Sequence, residues 1–421
     1  MEDQDSSNPR LQKGYLKWLY PTIPVNIIVG PLSTLMTLYI IQLGGGILQV
    51  ALAITLYNAV TIPSALFWGK IVDIVNRRRC FILLTNASVV VTMLALFYVH
   101  TVSAAISIYA VSSFFVAAGA TPLSLMVMET QYKTEWSKGF AKLQLFSSLG
   151  STLGYILSYA VTAVFSLSVL ILVFLAISLV AVALSLILIY ETSIPYSKAY
   201  VTKNFASLFG NMVAMPRKVT RKAIASNLKN YITIFYFACF VFWTGSYLLN
   251  TEFPVSLSHS GFSSSEIFLL FAMGMVVQTL AFYYYDRISQ KRSKFNVVKR
   301  SLILRGIGYV VIALALIFMT GILLFGTELA AYSLSAGIAY PLYYISSNIL
   351  LFALISGSGR SRGSSLGVYT SLTGLGMVTG AILSGYITQY FSYWLSFMLA
   401  GLVMFFGYYL FTRLDKYLCL L

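Results

Sequence analysis

The chain has 421 residues, 58% hydrophobic and only 10% charged, with a mean hydropathy of +0.82. A soluble protein carries about 25% charged residues, so this composition excludes a water-soluble globule. The net charge of +16 suits a nucleic-acid binder only if the cations are not already used to orient membrane segments.

The apolar residues recur in segments of about 20 to 28, the length a helix needs to cross a hydrocarbon layer about 30 Å thick. Twelve spans are expected, at 18–43, 48–70, 80–100, 102–128, 140–165, 167–190, 230–254, 264–285, 302–324, 328–355, 364–389 and 393–414. The residues before the first are polar, with Glu2, Asp3 and Asp5, and do not resemble a cleavable signal peptide. Span 1 contains Pro21, Pro24 and Pro31, which suit a bent gating helix, although membrane helices tolerate proline generally. The uncharged run from Ile47 to Trp68 ends in GKIVDIVNRRR, residues 69–79. Glu129 is the one carboxylate near the end of span 4, and Gly150 and Gly154 are spaced along span 5.

After span 6 comes the longest polar stretch, from Glu191 to Lys229. Within it Phe205, Leu208, Phe209, Met212 and Met215 recur at helical spacing. Both a helix lying on the inner membrane surface and an ordinary solvated linker fit that pattern. The chain thus divides into an N-terminal half, 1–190, a linker, 191–229, and a C-terminal half, 230–421. Weak repetition supports the halves: Asp73 after span 2 corresponds to Asp286 after span 8, and Gly150 to Gly374. Paired halves around a central pathway are a recurrent transporter plan.

All 28 Lys and Arg fall at the termini or in the even-to-odd connections, with Arg305 counted beside connection 8–9. The opposite connections hold only Glu252, Glu266 and Glu328. Cations are retained in the cytoplasm, so the expectation is a multi-pass cell-membrane protein with both termini cytoplasmic. The lipid bilayer is then the large partner, and nucleic acid is not needed to explain the charge. Cys80, Cys239 and Cys419 are widely spaced and give neither a disulfide framework nor a metal signature. No Gly-x-x-x-x-Gly-Lys-Ser/Thr loop is present, and His100 and His259 have no partners at ligand spacing. An enzyme, a metal and a cofactor are not expected.

Between spans 2 and 3, Gly69, Asp73 and Arg77 follow one another every four residues. This stretch resembles the loop signature of the major facilitator superfamily, Gly-x-x-x-Asp-x-x-x-Arg with further cations. A degenerate copy, YYYDRISQKR at 283–292, has Phe282 where the first has Gly69. The stretch from Glu129 to Gly139 resembles that family's acid-then-cation pattern. The resemblance implies an all-α polytopic membrane protein, twelve transmembrane helices in two six-helix halves, working as a secondary active or facilitative transporter by alternating access. Gly69, Asp73 and Arg77 would share one helix face, with glycine admitting a neighbouring helix and Asp73 meeting a helix N-terminus. A cytoplasmic gate is therefore expected from Gly69, Asp73, Arg77, Arg78, Glu129, Lys138, Asp286 and Arg362. For the arginines, simple anchoring of a helix end is the competing reading.

In the resembled family spans 1, 4, 7 and 10 line the cavity. Here they offer Asn26, Thr37, Ser113, Trp243, Tyr247, Asn250, Tyr340, Tyr344 and Asn348, although for any one of them alone helix packing or interfacial anchoring is the stronger reading. No ionisable residue lies near the middle of a span as drawn, and such residues usually mark ion routes. A small neutral or amphipathic organic solute is therefore expected rather than one held by a buried countercharge. Protons remain a coupling-ion alternative, with Glu252 and Glu266 read as a solvated rim. The glycines of span 5 lack the proline of efflux relatives, so multidrug-type efflux is an alternative, as is a non-transporting receptor or scaffold on the same fold.

Overall fold

The computed structural model describes residues 17–75, 77–130, 136–189, 231–289, 293–356 and 362–419, and these are almost entirely helical. The first six helices are α1 (Thr22–Gln42), α2 (Ile47–Val75), α3 (Arg78–Tyr98), α4 (Val102–Thr130), α5 (Trp136–Thr162) and α6 (Leu167–Leu188). The second half comprises α7 (Tyr231–Asn250), α8 (Phe253–His259), α9 (Ser264–Ser289), α10 (Lys294–Phe318), α11 (Gly321–Tyr332), a π-helical segment (Ser333–Ala339), α12 (Tyr340–Ser356), α13 (Arg362–Tyr390) and α14 (Tyr393–Cys419). The surface-helix pattern between Phe205 and Met215 lies outside the described residues.

Among the described residues, eleven helical runs are long and apolar enough to cross a membrane. The remaining crossing element is α5, 27 residues long, which carries Gln144 and a series of Ser, Thr and Gly where other spans carry aliphatic side chains. Large apolar side chains such as Val164, Phe318, Ile322, Leu323, Tyr390 and Phe391 are exposed. So are apolar side chains within the spans, such as Val91, Leu153, Leu179 and Leu402, an exposure that a soluble protein avoids and that suits a lipid-facing surface.

Two spans are broken, and proline explains both. Span 7 consists of α7 and α8 joined at Thr251–Glu252, just before Pro254. Span 10 passes through the π-helical segment immediately before Pro341. In each case the missing proline N–H and the clash of its ring with the carbonyl four residues back prevent a regular helix.

Span 9 corrects an expected boundary. It was placed at 302–324, but α10 runs from Lys294 to Phe318 and the chain turns before α11. Lys294, Lys299 and Arg300 lower the hydropathy of its first two turns, so the apolar run by itself starts only at 302. The real helix starts among cations and carries Arg305 twelve residues in, 3% exposed.

Close helix approach rests on glycine. A Cβ on Gly150 would lie 2.5 Å from the Ile23 carbonyl of α1, and one on Gly154 would collide with the Ile27 carbonyl. In the second half, Gly376 and Gly380 of α13 meet the Phe240 and Thr244 carbonyls of α7 in the same way. Gly374, matched to Gly150 by sequence offset, instead faces Ile62 of α2. The α1–α5 and α7–α13 pairs are thus counterparts, displaced by two residues from the sequence match. Gly154→Leu is expected to drive α1 and α5 apart, since backbone cannot yield as a side chain does. Fluorescence-detected size exclusion should show loss of the monodisperse peak, whereas Gly46→Leu, where a Cβ meets nothing within 4 Å, should keep it.

The halves meet along two helix pairs. In α5–α9, Ser148 and Thr279 hydroxyls lie 2.7 Å apart, and Thr152 reaches Thr279 at 2.9 Å and the Met275 carbonyl at 3.1 Å. In α2–α13, Ile62 packs on Gly374 and Ala51 on Gly385. Small side chains on both pairs give smooth surfaces at the junction.

A candidate solute pathway

Between the halves lies a cluster of aromatic and amide side chains. Trp243 of α7 packs 6.4 Å from Tyr247 and 6.2 Å from Tyr340, and Tyr340 lies 5.7 Å from Tyr344. From the first half, Gln144 Nε2 donates to the Tyr344 hydroxyl at 3.2 Å, and Asn58 lies beside the Tyr247 hydroxyl. Tyr57 stacks on Tyr109 at 4.4 Å, and Thr34 bonds Tyr155 at 3.1 Å. Trp243 Nε1 is buried without a hydrogen-bond partner, a donor aimed where nothing of the protein accepts it. Aromatic faces with a few fixed polar groups are the makings of a small-molecule site.

Four of the expected cavity residues, Trp243, Tyr247, Tyr340 and Tyr344, are brought together. The others are not. Asn26 donates to the Thr22 carbonyl at 2.7 Å and its Cβ packs on Gly150. Ser113 donates to the Ala110 carbonyl at 2.8 Å, and Asn348 to the Tyr344 carbonyl at 2.8 Å. These short polar side chains satisfy themselves on their own helix, a common outcome for such residues in apolar surroundings. Thr37 is buried with its hydroxyl unpartnered, and Asn250 sits at the end of α7, next to the helix break. Tyr57 and Asn58 of α2 and Gln144 and Tyr155 of α5 lie outside the four spans expected to line the cavity, and Tyr109, although in span 4, is placed by its stacking on Tyr57.

The larger correction concerns charge. Arg305 was counted as a cytoplasmic cation, but its guanidinium lies inside the bundle. Nε donates to the Tyr309 hydroxyl at 2.7 Å and Nη1 to the Ser335 carbonyl at 3.3 Å, within the π-helical segment. The rings of Phe242, Tyr309 and Tyr340 stand 5.1, 5.3 and 5.6 Å from it, so aromatic faces supply part of what water would. Among the described residues no carboxylate pairs with it. The position of Arg305 deep inside α10 was a signal available in the sequence. Glu252, expected at a solvated rim, and Glu328, expected in a connection, are both 0% exposed, with no hydrogen-bond partner among the described residues on any carboxylate oxygen. Only Glu266 behaves as a rim residue, accepting from the Ser263 N–H at 2.7 Å. The premise of an uncharged interior therefore fails.

At the cation-bearing end, Arg78 and Arg79 of the stretch GKIVDIVNRRR have definite partners. Buried Arg78 donates from Nη1 to the Val72 carbonyl at 3.0 Å, and Arg79 donates to the Leu186 carbonyl. They close the last turns of α2 and α6, whose carbonyls lack helical donors. Gly69 is half-buried and Arg77 exposed. The side chains of Asp73, Glu129, Lys138, Asp286 and Arg362 lie outside the described residues. Lys299 and Asp415 join α10 to α14 at 2.7 Å. At the opposite end a cavity of about 370 Å³ lies between the halves, bordered by Gln42, Thr162, Ser166, Ser258 and Ser264.

Two helical halves joined through small side chains around a polar aromatic centre define a polytopic membrane transporter. The Major Facilitator Superfamily profile matches residues 25–360, and the chain belongs to that family. Comparison with curated protein sequences gives no match. Among solved structures, a peptide transporter, POT, in complex with sulfate has a TM-score of 0.71 at 12% identity, with 96% of this chain and 95% of that one covered. The nucleoside transporter NupG gives 0.69 at 14%, covering 96% and 99%. The human organic anion transporter MFSD10 gives 0.59 at 16%, covering 94% and 97%. At these identities the likeness is one of fold.

Proposed function

We propose that the protein moves a small organic solute across the membrane by alternating access, the two halves rocking about the α2–α13 and α5–α9 contacts. The observation that carries this reading is the cluster of Trp243, Tyr247, Tyr340 and Tyr344, which faces Asn58 and Gln144 across the junction. A solute held there touches both halves, so its binding can bias their arrangement. The cluster suits a neutral or amphipathic compound. The uncompensated charge of Arg305 behind Tyr340 disfavours a cationic one, which counts against the multidrug-type alternative. The neighbours' cargoes, peptides, nucleosides and organic anions, are all compatible with that reading.

The cation-bearing end is read as cytoplasmic, with both termini there. The gate at that end would use Gly69, Asp73 and the basic residues after it, with Arg78 and Arg79 doubling as helix anchors. Asp73→Asn is expected to slow transport severalfold while membrane insertion and detergent elution stay as in the native protein. Unchanged flux would sink the latch.

A thermal-shift screen of solutes on purified protein, followed by proteoliposome flux with and without a pH gradient, tests the whole reading. A stabilising solute should also be transported, and acceleration by the gradient would identify proton coupling. Binding without flux in either condition would favour a receptor or scaffold.

A further inference from the structure

We propose that the break between α7 and α8, together with α13, forms a binding site for one monovalent metal cation of the sodium type. Five buried oxygen atoms here have no hydrogen-bond partner: Asn250 Oδ1, Thr251 Oγ1, both carboxylate oxygens of Glu252, and Thr388 Oγ1. Glu252 is 0% exposed, Thr251 1% and Thr388 5%. The first three residues are consecutive at the break. Glu252 Oε1 lies 3.9 Å from where a Cβ on Gly385 would stand, and Thr388 is one turn further along the same side of α13. The location is firmly held, because the Leu248 carbonyl, released by the break, accepts from Ser384 Oγ at 2.7 Å and Ser396 Oγ at 3.1 Å.

The C-terminus of α7 presents the negative end of its dipole, opposed by the N-terminus of the short α8, of which Glu252 is the N-cap. The net negative charge here is therefore that of the Glu252 carboxylate, which no cationic side chain among the described residues neutralises. Interrupted helices in transporters coordinate small cations with such ends. A proton on Glu252 would neutralise the carboxylate but supplies a single O–H donor, enough for one of the three neutral oxygens. One metal ion at the Glu252 carboxylate can take lone pairs from several oxygen atoms at once, as a proton cannot. The donors are all hard oxygens, unsuited to thiophilic metals. A single carboxylate balances a single positive charge, whereas a divalent ion usually draws on more. Ala51 of the first half packs on Gly385 beside the carboxylate, so an ion here would sit where the two halves touch.

The test uses the purified full-length protein at fixed pH, with choline chloride replaced stepwise by NaCl. The unfolding midpoint should rise saturably with Na⁺, and radiolabelled Na⁺ should bind saturably. Glu252→Gln should abolish both, while Thr388→Ala should keep the fold and weaken apparent Na⁺ affinity by about tenfold. Absence of saturable Na⁺ binding by the native protein, or native-like binding by a folded Glu252→Gln protein, overturns the site. So does a midpoint that follows pH and ignores Na⁺, which would assign the carboxylate to a proton. Binding is measured without flux, so failure of the ion site is distinguishable from failure of the transport reading.

Discussion

Oxidation of a protein carrying Ala51→Cys and Gly385→Cys is expected to abolish flux, and a reducing agent to restore it. Ala51 lies in the second turn of α2 and Gly385 near the end of α13, both at the end of the bundle away from the cations. Their side-chain positions are already in contact across the junction of the halves. A disulfide needs a Cβ separation of about 3.8 Å, so the helices have to part slightly rather than reach for each other. Alternating access requires this junction to open once per cycle, and a covalent bridge forbids it. The experiment belongs in a background with Cys80, Cys239 and Cys419 replaced by serine or alanine. Each single cysteine should transport with or without oxidant. Full flux through demonstrably cross-linked protein would mean that the halves do not separate here.

The second large effect concerns Arg305. Arg305→Ala removes a guanidinium that holds Tyr309 and the Ser335 carbonyl and leaves a void among three rings. The expected loss of stability is on the order of 2–4 kcal/mol, as for large-to-small changes in a core. Arg305→Met separates packing from charge. It fills similar space and sheds the cost of an unpaired buried cation, so stability should stay within about 1 kcal/mol of native. Transport by the methionine variant should nonetheless fall about tenfold, equivalent to about 1.4 kcal/mol in the barrier, because the positive potential behind Tyr340 is lost. Arg305→Lys should restore transport only in part, since it keeps the positive charge but lacks the planar face that stacks between rings. Chemical denaturation and proteoliposome flux read the two effects separately. Normal transport by Arg305→Met would make the arginine a packing element only.

The contrast between Arg305 and Arg78 shows how far the sequence could be read. Both follow or precede apolar runs, and both were assigned to the membrane surface by the same cation census. Arg78 is a helix-end residue that caps the carbonyl of Val72. Arg305 is a mid-helix residue that three aromatic rings, from Phe242, Tyr309 and Tyr340, make tolerable. Hydropathy along one helix cannot distinguish them, because of the compensating groups only Tyr309 is on α10, while Phe242 comes from α7, Tyr340 from α12 and the Ser335 carbonyl from the π-helical segment. The same limit applied to the polar candidates. Ser113 and Asn348 looked available on their helices, but each had an acceptor within its own preceding turn. Tyr344 found Gln144 only across the halves.

The sequence by itself determined the class, the number of crossings, the pairing of halves and the family. These follow from hydrophobic length, from cation placement and from one loop motif, all of which are local or additive along the chain. Tertiary structure alone decided which polar groups face one another. It turned Glu252 from a rim residue and Glu328 from a connection residue into buried carboxylates without partners among the described residues, and it enclosed Arg305 in aromatic rings. The physical reason is that the cost of a polar group in an apolar interior depends on partners contributed by distant helices, and those partners exist only once the helices are packed.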